Sequence, residues 1–238
     1  MEGNAVRIFW AADSTVQTND ITTYPQTGIG QVFSLYVREG VTVCNHAKNG
    51  RSTKSFMDEG RLAVIDGQIG AGDFLFIQFG HNDEKTEDPA RYTEPYSTYM
   101  ENLETYIQVA QKHDACPVLI TPLERRCFVD DRHLGMGAHS DYVAAMKHTA
   151  EKNHVALVDL YSMSRCALKK AGEPESRRWY MYFDANVYKN YPEGKKDNTH
   201  LRHEGAVMYA GLIAKGLYEL GGIYKELLLD GMRADADK

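Results

Sequence analysis

Cysteine and proline are scarce in this chain, with 4 Cys and 7 Pro in 238 residues. Cys44, Cys116, Cys127 and Cys166 lie far apart and form no Cys-x-x-Cys pair, so the spacing argues against a zinc site and a disulfide framework, and free thiols are expected. Long apolar runs are missing as well. The stretch Phe74 to Phe79 has the length of a strand and falls far short of the roughly 20 residues of a membrane helix, so no membrane partner is expected. Positive charge is in deficit, 27 Lys plus Arg against 33 Asp plus Glu, and the net −6 offers no basic footprint for nucleic acid. Met1 to Val6 lacks the basic start and apolar centre of a secretion signal, which reads as a cytoplasmic chain. What is present is an ordinary globular composition, 43% hydrophobic and 25% charged, and a single domain over residues 1–238 is expected.

β-prone apolar runs alternate with helical patterns, the sequence form of repeated βα units and of a mostly parallel sheet covered on both faces. Strands are predicted at Val6 to Trp10, Val41 to Asn45, Asp73 to Phe79, Pro117 to Thr121 and Val155 to Asp159. Ile29, Val32, Phe33, Tyr36 and Val37 carry a helical stripe that ends before Gly40. Further helices are predicted from about Glu94 to His113, Asp141 to Asn153 and Glu204 to Leu220. The irregular stretches are Asp13 to Gly28, Glu84 to Thr93, Pro122 to Ser140 and Tyr182 to Arg202. Ligands of open α/β sheets bind beyond the carboxyl ends of strands, so function is expected in these loops.

Four features of these loops bear chemistry. Ser14, in Ala12-Asp13-Ser14-Thr15 directly after the first strand, stands where backbone N–H groups can receive a developing oxyanion; the same residues also suit a plain turn or cap. Asp197-Asn198-Thr199-His200 puts a carboxylate within one chain turn of an imidazole, as an orienter and base require, and as a solvated loop also allows. Asn49-Gly50-Arg51-Ser52 and Gly80-His81-Asn82-Asp83 end the second and third strands. A glycine N–H and an Asn amide can donate to one oxygen, although turns use the same residue types. The joint occurrence of all four at one end of a sheet favours the chemical reading.

With those blocks in that order, the sequence resembles the SGNH (GDSL-like) hydrolase superfamily, and within it the rhamnogalacturonan acetylesterase-like branch. Tyr24-Pro25-Gln26-Thr27-Gly28, Gln78-Phe79-Gly80, Thr121-Pro122 with Arg125-Arg126, and Val158-Asp159-Leu160 add to the likeness. The resemblance implies a three-layer α/β/α, flavodoxin-like fold with a five-stranded, mostly parallel sheet. It implies Ser14 as nucleophile, His200 as general base and acid, Asp197 as orienter, and an oxyanion hole of the Ser14 and Gly50 N–H groups with the Asn82 amide. No metal or organic cofactor is implied. The expected substrate is an acetylated, pectin-derived oligosaccharide. An esterase acting on lipid, thioester or xylan-type acyl groups is the alternative, and a non-catalytic saccharide-binding protein a further one. Ala12 stands where the family pattern has Gly, a site of strain if φ is positive there. Arg125, Arg126 and His139 are candidate substrate contacts, with Arg132, Lys195, Lys196 and Arg202 as nearby cations. His81 and Asp83 read as framework residues, and the run Trp179 to Phe183 as an anchor for the loop that follows.

Overall fold

The computed structural model describes residues 5–230. The first βα unit is β1 (Val6–Ala12), α1 (Ile29–Val32) and β2 (Val41–Asn45). Then come α2 (Thr53–Asp58), α3 (Arg61–Asp66), β3 (Phe74–Gln78), α4 (Met100–Lys112) and β4 (Cys116–Ile120). The chain continues through α5 (Ser140–Asn153), β5 (Ala156–Val158), α6 (Leu160–Ser176), β6 (Tyr180–Phe183), β7 (Lys195–Leu201), α7 (His203–Leu220) and α8 (Gly222–Lys225). β1 to β5 form one parallel sheet in the order β2-β1-β3-β4-β5, the flavodoxin-like arrangement, while β6 and β7 pair antiparallel outside it.

Strand periodicity divides the core in two. Ile8, Trp10, Phe74, Phe76, Val118 and Ile120 face Ile29, Leu168, Tyr209 and Ile213 on one side. Phe9, Ala11, Leu75, Ile77 and Leu119 face Phe56, Leu62, Leu103, Tyr106 and Met146 on the other. Because both faces are covered, the strands read as continuous apolar runs rather than alternating ones. Each large side chain buried here contributes roughly 1.5–3 kcal/mol. Strand order reverses between β1 and β3, so the loops leaving these two strands diverge and open a crevice at their carboxyl ends. The last paired residues are Ala12 and Gln78, which brings Ser14 and Gly80 to the mouth of that crevice.

Two expectations are corrected, and the condition for strain at Ala12 is not met. The stripe from Ile29 to Val37 is a single α-turn followed by a 3₁₀ turn at Phe33–Leu35, because Val37 is drawn into an extended bridge with Leu228. The stretch Tyr182 to Arg202 is not irregular throughout, since it contains β7 and the pairing partner Phe183. Ala12 carries no strain, for it lies in extended β1 and is not among the non-glycine residues of positive φ. The four cysteines are free thiols. Among the described residues no helix is long and apolar enough to cross a membrane.

Candidate active site

After β1 the chain turns sharply, with the Val16 and Gln17 N–H groups donating to the Asp13 carbonyl. Asp13 Oδ1 accepts from the Thr15 N–H at 2.9 Å and the Thr15 hydroxyl at 2.8 Å. Those bonds fix the turn that presents Ser14. The neighbouring strand end is tied to it: Lys48 N–H donates to the Ala12 carbonyl, and Asn49 N–H to Gln17 Oε1. Gly50 follows with φ of +74°, a left-handed conformation that a β-carbon would strain. Neither the Ser14 nor the Gly50 N–H is taken up by a hydrogen bond among the described residues.

After β3, Gly80 packs so tightly that a β-carbon there would lie 2.7 Å from the Pro122 ring. Asn82 is oriented from both ends, its Nδ2 donating to the Arg51 carbonyl at 3.1 Å while Arg91 donates to its Oδ1 at 3.3 Å. An amide nitrogen has two hydrogens, so one remains for a ligand. Asp83 Oδ1 accepts from the Thr53 N–H (3.0 Å), the Thr53 hydroxyl (2.5 Å) and the Thr93 hydroxyl (3.0 Å), locking the start of α2 to this loop. Burial pushes its carboxyl up to about 7 despite these three donors. His81 faces Asp13 Oδ2 at 3.4 Å, and burial, helped by the charge of His139, pushes its imidazole down to about 4. It is therefore neutral near pH 7. Both residues serve the framework, as the sequence suggested.

The imidazole arrives from the antiparallel ribbon. Tyr182 pairs with Lys196 and Tyr180 with Leu201, so two steps along β6 span five along β7. The excess is a bulge made by Asp197, Asn198, Thr199 and His200. Bulges re-aim side chains, and this one folds the carboxylate back onto its own chain. Asp197 Oδ1 accepts from the Thr199 and His200 N–H groups at 2.9 and 3.0 Å, and Oδ2 lies 2.7 Å from His200 Nδ1. Burial alone would raise the Asp197 carboxyl, but the bond and charge of His200, with the two N–H groups, hold it well below the usual carboxylate range. The anion fixes the proton on Nδ1, leaving Nε2 as an acceptor 2.9 Å from Ser14 Oγ. A serine hydroxyl, an imidazole and a carboxylate thus stand in series. They border a cleft of about 240 Å³ whose wall also includes His81, Asn82, Lys85 and Arg125. Such a series can move a proton off the hydroxyl, and the free N–H groups of Ser14 and Asn82, both at the cleft, can receive negative charge on an attached oxygen.

Two substrate contacts expected from the sequence are overturned. Arg126 is 2% exposed: it pairs with Glu173, donates to Ser176 Oγ at 3.1 Å, and donates to Asn198 Oδ1 at 2.7 Å, so it faces the protein. His139 is buried with its Nδ1 2.6 Å from Glu84 Oε2 and its ring 4.3 Å from that of His81, behind the cleft wall. Arg125 does border the cleft, but its guanidinium is committed to Glu84 at 2.9 Å and the Thr199 hydroxyl at 2.8 Å. The consecutive arginines therefore grip the two residues between Asp197 and His200. Sequence reasoning missed this role; the one visible signal was a pair of arginines following a strand end. Among the described residues no group of three or more His, Cys, Asp or Glu side chains is arranged to hold a metal ion.

Residues 13–206 match the GDSL-like lipase/acylhydrolase family. The chain is 41% identical to rhamnogalacturonan acetylesterase RhgT of Bacillus subtilis strain 168, over 94% of either sequence. It is 42% identical to the probable rhamnogalacturonan acetylesterase YesY of the same strain, over 91% of this chain and 94% of that one. In fold it is similar to the crystal structure of protein YxiM from Bacillus subtilis, with a TM-score of 0.76 and 24% identity over 92% of this chain and 57% of that one. The acetylxylan esterase Axe2 of Geobacillus stearothermophilus, solved as a catalytic mutant, is similar with a TM-score of 0.59 and 14% identity over 90% of this chain and 94% of that one.

Proposed function

The chain belongs to the GDSL-like lipase/acylhydrolase family, and from that premise we propose that it is a carbohydrate esterase removing O-acetyl groups from pectin-derived saccharides such as rhamnogalacturonan fragments. The observation that carries the chemistry is the unbroken series from Asp197 through His200 to Ser14, with gaps of 2.7 and 2.9 Å. Ser14 Oγ attacks the acetyl carbonyl while His200 Nε2 takes its proton. The carbonyl oxygen becomes an oxyanion facing the N–H groups of Ser14 and Gly50 and the Asn82 amide. His200 then returns the proton to the departing sugar hydroxyl as the ester bond breaks, leaving an acetyl-enzyme. Water, deprotonated by the same imidazole, attacks that ester and releases acetate and the free serine. Asp197 stays ionised throughout, steadying the imidazolium. The steps need no metal and no organic cofactor.

The saccharide reading is supported by the two Bacillus relatives and by the cleft itself. Its walls carry Asn82 and Lys85, polar side chains that can hydrogen-bond a hydroxyl-rich ligand. The test is acetate release from an O-acetylated rhamnogalacturonan oligosaccharide and an acetylated xylo-oligosaccharide, set beside nitrophenol release from 4-nitrophenyl octanoate. The highest kcat/KM is expected on the first. Preference for the octanoate would make the protein a lipid-type esterase, and preference for the xylan fragment would move it to a neutral sugar.

A further inference from the structure

Two segments outside this chemistry meet beside the cleft. One is the loop leaving Ser14, which makes a 3₁₀ turn at Ile21–Thr23; the other is the connection between β6 and β7. Asn190 Nδ2 donates to the carbonyls of Ile21 at 2.8 Å and Tyr24 at 3.0 Å, and the Tyr191 hydroxyl donates to that of Thr23 at 3.2 Å. The Tyr24 and Tyr188 rings meet edge to face at 5.8 Å, and Tyr188 in turn rests on buried Phe183 at 4.6 Å. Between the segments lies an open trough of about 650 Å³ whose walls include Ile21, Tyr24, Val187, Tyr188 and Lys189.

Three properties of the trough call for a ligand. It leaves Ile21, Tyr24 and Val187 exposed by 78%, 55% and 54%, an apolar surface with no covering among the described residues. It is braced by cross-segment hydrogen bonds, so a ligand meets a preformed surface and little ordering cost remains. It also adjoins the catalytic residues. Thr27 N–H donates to the carbonyl of Leu201, next to His200, and Tyr24 is three residues away, at most about 11 Å of extended chain. From the other side Lys195 Nζ lies 5.1 Å from the Tyr191 ring centre and 3.6 Å from Asp197 Oδ2.

We propose that this trough is a subsite for the saccharide chain beyond the acetylated residue, with Tyr24 offering a flat face to a pyranose ring and Lys189 a counter-charge to a uronate carboxylate. The proposal rests on the esterase reading above and adds the residues that recognise the sugar. Aromatic faces suit the apolar faces of sugar rings, and Tyr supplies that area at low rotamer cost. Among the described residues the trough holds one cation, Lys189, for an acidic saccharide. The whole protein carries −6 and repels anions at long range, so an acidic chain needs local cations, and Lys189 joins none of the ion pairs of the described residues.

The experiment compares kcat/KM on an O-acetylated rhamnogalacturonan oligosaccharide with that on 4-nitrophenyl acetate, for the parent, Tyr24→Ala, Tyr24→Phe and Lys189→Gln. Tyr24→Ala should lower the ratio of the two values on the order of tenfold, chiefly through KM on the oligosaccharide, a tenfold change being about 1.4 kcal/mol. Tyr24→Phe should keep the parent ratio, and Lys189→Gln should lower it by a smaller factor that vanishes at high salt. Calorimetric binding of the oligosaccharide in a Ser14→Ala background should weaken in parallel when Tyr24→Ala is added. If the parent turns over the oligosaccharide and Tyr24→Ala leaves both the ratio and the binding in place, the subsite is wrong while the esterase reading stands. If the parent cleaves the aryl acetate but frees no acetate from the oligosaccharide, the substrate reading falls and the subsite falls with it.

Discussion

Ser14, Gly50 and Asn82 stand on turns at the carboxyl ends of adjacent parallel strands, whereas Asp197 and His200 sit in the bulge of a two-stranded antiparallel ribbon outside that sheet. The first half inherits its position from the core. Ala12 and Gln78 are paired in the ladder, and the turns beyond them are closed by backbone and short side-chain bonds. The second half has no such ladder beside it, and a bulge weakens its own. Its stiffness is imported: Arg126 reaches Asn198, Arg125 reaches Thr199, and buried Tyr180 joins Tyr209 at 2.6 Å. The lesson is that an imidazole placed off the sheet needs cross-links of its own, and here charged side chains from the loop after β4 supply them.

On the proposed mechanism, deleting the nucleophile or the base should have the largest effect. Ser14→Ala and His200→Ala should each lose on the order of 10⁴–10⁶ in kcat while remaining folded by circular dichroism, since triad members act as a unit. A donor in the sheet half should matter less: Asn82→Ala is expected to cost about 10²–10³ in kcat with little change in KM. Raised KM at constant kcat would instead make Asn82 a ground-state contact.

The arginine cross-links sharpen the comparison. Small misplacements of a catalytic group cost up to about 10²-fold. Arg125→Ala should therefore reduce kcat about 10-fold or more on 4-nitrophenyl acetate and on an acidic oligosaccharide alike, and Arg125→Lys should restore only part of it because the two-pronged grip is lost. Loss on the acidic substrate alone would return Arg125 to a substrate contact. Arg126→Met should act on stability as well, since it removes a buried guanidinium that pairs with Glu173 and donates to Ser176 and Asn198; a melting curve displaced downward together with lower kcat is expected.

The smallest effect concerns pH and lies entirely in the sheet half. His81 is depressed from an ordinary 6.5 to about 4, so its contribution to stability is full above pH 6.5 and fades as pH falls toward 4. Asp83 is raised from an ordinary 3.8 to about 7, so its contribution is full below pH 3.8 and fades as pH rises toward 7. The two slopes oppose each other. In thermal melts between pH 4 and 7, Asp83→Asn should make stability rise more steeply with pH than in the parent, and His81→Gln should make it fall. Parallel profiles for all three proteins would show that neither group titrates as assigned.

The sequence made the sheet half more readable than the ribbon half, for physical reasons. Strands covered on both faces appear as unbroken apolar runs, and turns at their ends use Gly, Asn, Asp and Ser, so the five strands and Ser14, Gly50 and Asn82 stood out. Asp197 and His200 stood out by their spacing and their resemblance to a family block. The ribbon around them did not. β7 reads Lys-Lys-Asp-Asn-Thr-His-Leu, with little β-propensity, and its register with β6 is broken by the bulge. α6 was missed because it breaks at Gly172 and buries few apolar side chains. α2 is one short helix held by the Ser52 and Ser55 capping box rather than by a long stripe. Arg126 looked like a surface cation because the groups that bury it, Glu173 and Asn198, lie 47 and 72 residues away.

The central claim is that the two halves meet at one serine. Treating the parent with a serine-reactive phosphonate and mapping the modified peptide tests it directly. One phosphonyl group on Ser14, with activity lost in proportion to labelling and neither labelling nor activity in Ser14→Ala, is the predicted result. Full activity in a folded Ser14→Ala variant, or inactivation with the label on another residue, would contradict it.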